Sequence, residues 1–126
     1  MDLEPDSDEQ QVIDSTSGFL STALPIERFR KDGEGRLTGD LRRELAALGW
    51  YGISLAEADG GVGFSIVEEV LVFREIGRHL GPNAVLGISI AAKLASASGD
   101  KELAQALAAG KHGVAVAQID PNRTNF

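Results

Sequence analysis

The chain has 126 residues, 43% of them hydrophobic, enough for one domain with a modest core. A net charge of -7 argues against non-specific nucleic-acid binding, which needs a basic face. The absence of cysteine excludes a disulfide framework and a thiolate metal site, and fits a reducing compartment.

Much of the acidity is local: Asp2, Glu4, Asp6, Asp8 and Glu9 precede any Lys or Arg and read as a solvated tail entering a helix. Ser7 and Gln10 suggest a capping box for a first helix over 8–23, with Val12, Ile13, Phe19, Leu20 and Leu24 inward, Thr16 beside them, and Pro25 as its end. Residues 26–36 carry mixed charges and two glycines, the pattern of a surface loop. Arg28, Arg30, Lys31 and Arg36 are interleaved with Glu27, Asp32 and Glu34, which favours a solvated loop over a phosphate-binding patch. A second helix begins at Thr38 or Asp40 and shows the stripe Leu41, Leu45, Leu48, with Gly49 as a left-handed stop.

A glycine-rich connection follows, from Gly52 to Gly63, and Ser65 with Glu68 forms the S-x-x-E box of a third helix over 66–79. Its apolar positions are Ile66, Val70, Leu71, Phe73 and Ile76, and Gly81-Pro82 breaks the chain after it. The fourth helix, 83–97, is apolar around nearly its whole circumference, so one face must look away from a domain this small. Lys93 interrupts it, and it falls short of the ~20 residues that span a bilayer. Gly99 ends it, and Asp100 caps a fifth helix with Leu103, Ala104 and Leu107 inward and Gly110 as its stop. His112 to Asp120 alternates like a strand, closed by Pro121. The pattern predicts an all-α bundle of five helices with the start of a β-strand at its C-terminal end. No signal pattern opens the chain, so a cytoplasmic protein is expected.

Candidate chemistry is sparse. Gly60-Gly61-Val62-Gly63 before a helix N-terminus has the look of a phosphate cradle. It lacks the Lys-Ser/Thr of a P-loop and has Ile66 where G-x-G-x-x-G needs glycine, so a structural turn is the favoured reading. His79 and His112 lack ligand spacing, which argues against a metal site, and no Ser/His/Asp arrangement stands out. Glu57, Glu68, Glu69 and Glu75 read as cap and surface carboxylates.

From Leu41 to Pro121 the chain resembles the N-terminal helical domain of the acyl-CoA dehydrogenases. Gly49-Trp50, Gly52-Ile53, Glu57, Gly60-Gly61-Val62-Gly63 and Glu75-Ile76-Gly77-Arg78 match the family pattern. Ser98-Gly99-Asp100, Gly110-Lys111 and Val114 to Ala117 continue it. The family's proline, second glutamate and aromatic are here Ala56, Ala58 and Asp59, and no Gly-Ser-Asp follows Pro121. The resemblance divides the chain into a helical domain, 1–111, and the start of a truncated β-domain, 112–126.

The resemblance implies FAD-dependent α,β-dehydrogenation of an acyl-CoA thioester, with electrons passed to an electron-transfer flavoprotein, by a homo- or hetero-oligomer. In that family a glutamate takes the α-proton and the flavin the β-hydride, and that glutamate lies in regions beyond this domain. No catalytic residue or metal ligand is therefore expected in these 126 residues, which alone should be inactive. Position along the fourth helix assigns Val85, Leu86, Ser89 and Ile90 to the wall of the acyl pocket. Gln118 and Ile119 stand where the first strand reaches the flavin, with Ile119 in place of the family's threonine. Two other readings stay open: a flavin-less partner subunit or scaffold related to these enzymes, and an unrelated helical interaction domain.

Overall fold

The computed structural model describes residues 4–28 and 37–115. Along them run helices α1 (Ser7–Ala23), α2 (Gly39–Ala47), α3 (Ile66–Arg78), α4 (Ala84–Ala97) and α5 (Lys101–Ala108). A 3-10 turn, Glu57–Asp59, interrupts the connection between α2 and α3. Four of the helices start where a side-chain oxygen can accept from amides that have no partner within the helix. Ser65 and Glu68 form the expected box on α3, Thr38 accepts from the Leu41 amide on α2, and Asp100 accepts from the Leu103 amide on α5. On α1 the box is shifted by one residue. Asp6 accepts from the amides of Asp8 and Glu9 at 2.9 and 2.8 Å, and Glu9 reaches back to the Asp6 amide at 2.9 Å. A carboxylate is the stronger acceptor at the positive end of a helix, and it displaces Ser7 from the role.

The helices pack in two pairs, α1 against α3 and α4 against α5. Between the pairs lies the run from Trp50 to Leu55, in which Trp50, Tyr51, Ile53 and Leu55 are all buried. Phe19 of α1 meets Trp50 edge to face, with ring centroids 5.4 Å apart. The Tyr51 hydroxyl donates to the Arg42 carbonyl at 3.2 Å, and burial pushes its pKa up to about 12 against the opposing charge of Arg42. Leu20, Leu45, Val72, Ile76, Val85, Ile88, Ala92, Ala104 and Leu107 complete the core.

Several apolar residues expected inside are exposed. Leu48 and Leu103 are turned to solvent, and so are Ile66 and Val70 on α3. Leu71 and Ile76 are buried as expected, and the face they share with the core also takes in Glu69 and Val72, with Glu69, Val72 and Ile76 at i, i+3 and i+7. Glu69 gains partners there that lie far along the chain, which periodicity cannot anticipate. On α4, Val85, Ile88, Ser89, Ala92 and Ala95 face the core, while Leu86, Ile90 and Leu94 are 48, 44 and 65% exposed. Among the described residues there is no strand; a bend falls at 112 and no regular element at 113–115, and the rest of the expected strand, including Gln118 and Ile119, lies outside them.

Candidate functional site: a groove between α3 and α4

Because α3 pairs with α1 and α4 with α5, the facing sides of α3 and α4 are left apart. Ile66, Val70, Phe73 and Gly77 on α3 follow helical spacing along one wall of the resulting groove. Leu86, Ile90 and Lys93 on α4 form the other, and Gly81, Pro82 and Asn83 close one end. The space is about 610 Å³, within the usual range for a small-molecule site, and its sides are predominantly apolar.

Arg74 also borders the groove, and a buried polar cluster interrupts its lining. Glu69 is only 3% exposed. Its Oε1 accepts from the Ser89 hydroxyl at 2.8 Å, and its Oε2 accepts from Ser54 and from the Lys93 ammonium. Burial pushes the Glu69 carboxyl up, but the bonds from Lys93, Ser54 and Ser89 outweigh it and hold the pKa below the ordinary carboxylate value. The cluster thereby ties the central run, α3 and α4 at one point. Glu75, also buried, receives Arg74 Nε at 3.2 Å and Arg78 Nη1 at 3.4 Å on the same oxygen.

The four residues assigned to an acyl wall do not share one environment. Leu86 and Ile90 line the groove. Val85 is packed in the core, and Ser89 is buried with its hydroxyl on Glu69. Glu69 and Lys93 escaped the sequence reading because their pairing spans 24 positions and two elements. The single lysine in an otherwise apolar helix was the available signal.

The glycine turn is not a phosphate cradle. Its amides are engaged by main-chain carbonyls: Gly60 by Glu57, Gly61 by Ala56, Val62 by Gly52, Gly63 by Leu55 and Phe64 by Ile53, at 2.8–3.0 Å. An anion would find no free donor in that row. A second cavity of about 210 Å³ lies between α1 and this turn, lined mainly by Val12, Phe19, Trp50, Ile53 and Phe64. His79 bonds the Glu75 carbonyl and Ser21, and among the described residues no His, Asp and Glu cluster is placed to hold a metal.

No curated protein and no solved structure matches the chain. The family model described as "Acyl-CoA dehydrogenase, N-terminal domain" matches residues 6–111. That span takes in the five helices of the described residues, the glycine turn and the groove, and the chain therefore belongs to the acyl-CoA dehydrogenase family.

Proposed function

We propose that this chain serves an FAD-dependent acyl-CoA dehydrogenase, an α,β-dehydrogenase of acyl-CoA thioesters, by forming one wall of its acyl pocket. The observation that carries this reading is the groove: a largely apolar space, with Leu86 and Ile90 on one wall and Val70 and Phe73 on the other, in a chain of this family. Val85 and Ser89 act from behind, Val85 by packing and Ser89 through Glu69.

The carboxylate nearest the groove is not suited to be the base. Glu69 already accepts from three donors, and its lowered pKa makes it a weak acceptor for a carbon-bound proton. We assign the base and most flavin contacts to other polypeptide, with Gln118 and Ile119 as this chain's contribution at the flavin edge. An oligomer in the cytoplasm that delivers electrons to an electron-transfer flavoprotein completes the proposal.

The test is isolation of the protein from its native source, with measurement of mass, visible absorbance and acyl-CoA oxidation by an artificial acceptor. A yellow, active assembly heavier than this chain is expected. A colourless assembly without activity would favour the partner-subunit reading. The 126-residue polypeptide by itself should be colourless and inactive; stoichiometric flavin retained through gel filtration would overturn that expectation.

A further inference from the structure

We propose that the groove between α3 and α4 selects acyl chains that carry an uncharged oxygen function, a keto or hydroxyl group, and that Lys93 is the residue that reads it. This rests on the acyl-CoA reading above and goes beyond it in naming the substrate class.

The argument begins with what an alkyl chain would meet. Ile66, Val70, Phe73, Leu86 and Ile90 offer it apolar contact, but Lys93, three residues beyond Ile90 on α4, opens onto the same space. Its side chain is 35% exposed, so its ammonium is partly hydrated before anything binds. Among the described residues Glu69 is its hydrogen-bond partner, and an ammonium has three donors. A methylene chain laid over Lys93 would strip water from those donors and return no acceptor, which is unfavourable for any charged group. A ketone or hydroxyl oxygen at that place restores the lost hydrogen bond while the rest of the chain keeps its apolar contacts.

Charge then decides between kinds of oxygen. Both cations that line the groove are already paired, Arg74 with Glu75 and Lys93 with Glu69, whose two carboxylate oxygens also hold Ser54 and Ser89. A second carboxylate on the ligand would share one ammonium with a buried anion, and like charges at that distance repel. The pair therefore favours a neutral acceptor over both a bare alkyl tail and a terminal carboxylate. A site built to hydrogen-bond a substrate oxygen discriminates more sharply against its absence than an apolar pocket does against an extra methylene.

The experiment uses the assembly as isolated from its native source and a recombinant assembly with both members of the pair made neutral, Glu69→Gln with Lys93→Met. The probes are decanoyl-CoA, decanoyl-CoAs with a ketone moved one carbon at a time along the chain, and the ω-carboxylate analogue, with affinity read by calorimetry. One keto isomer is expected to bind at least about tenfold tighter than decanoyl-CoA and than the ω-carboxylate, and the double variant to lose that preference. A wild-type series that is flat, or led by the alkyl or ω-carboxylate probe, would overturn the selection while leaving the acyl-pocket reading intact. A preference that survives in the folded double variant would overturn the role of Lys93. If no acyl-CoA binds the folded wild-type assembly, the acyl-pocket reading falls and takes this proposal with it. Should the double variant fail to fold, the wild-type series alone decides between selection and its absence.

Discussion

At Gly61 the main chain passes so close to Leu55 that a Cβ would stand 2.0 Å from the Leu55 carbonyl oxygen, and its neighbour Gly60 has a φ of +86°. Gly61 has no room for a side chain without moving backbone, whereas at Gly60 the left-handed φ itself strains any side chain and a Cβ would stand 3.2 Å from Gln105. Gly61→Ala is expected to destabilise by roughly 1–3 kcal/mol in urea unfolding, and Gly60→Ala by about 1 kcal/mol. Phosphate or CoA should leave the melting temperature unchanged; a rise that Gly61→Ala abolishes would reopen the anion reading. Glu69 yields a second expectation at this scale. Its folded pKa is depressed, so the stability it contributes is present above its unfolded pKa and is lost as pH falls through the folded value. Unfolding free energy should therefore drop on acidification below pH ~4.3, and Glu69→Gln should flatten that part of the profile. An unchanged acid limb in the variant would remove Glu69 from the account.

At the scale of the element, α4 shows what a helix apolar all round does in a small domain. One side enters the core, and Leu86, Ile90 and Leu94 stay outside. Contiguous apolar patches of several hundred Å², roughly, are uncommon on monomers. The 126-residue polypeptide should elute from gel filtration as concentration-dependent oligomers, and Ile90→Glu should shift it toward monomer while changing stability by under about 1 kcal/mol. A monomeric wild type at high concentration would contradict this. The circumference of α4 was legible in its letters, as were the Ser65 box and the Gly49 stop. The facing of α3 was legible only in part: Leu71 and Ile76 are buried as read, but Glu69 goes inward on account of Ser54, Ser89 and Lys93, and no local period records a tertiary partner. Nor was the core role of Trp50 to Leu55 visible, since a buried loop has no period at all. Of the site, sequence reached Leu86 and Ile90 through the resemblance and missed the polar pair between the walls.

Across the whole molecule, each helix pair has its own fastenings, and in the α1–α3 pair Arg28 is one. Its guanidinium donates to the carbonyls of Leu24, His79 and Leu80, so the C-terminal ends of α1 and α3 share one cation. A positive charge is favourable at both ends, and burial lowers its pKa only from an already high value. Arg28→Met should cost about 1 kcal/mol and leave acyl-CoA affinity unchanged, since it is not among the residues that line the groove. A loss of affinity at unchanged stability would show that the α1–α3 pair governs the groove's width.

The closed row of amides in the glycine turn has one more consequence. A joint held by its own main chain does not depend on which side chains decorate it, and those positions are released for other work. Asp59, where the family pattern has an aromatic or His, has been put to such use. It accepts from Ser96 on α4 at 2.6 Å and lies 3.7 Å from Lys101 on α5, while Gln105 bonds the neighbouring Ala58 carbonyl. The main chain sets where α3 begins, and a few letters on the turn's surface moor the α4–α5 pair to it. Chains sharing this turn can thus tune one wall of the groove against the other by altering the mooring, with the joint itself left untouched.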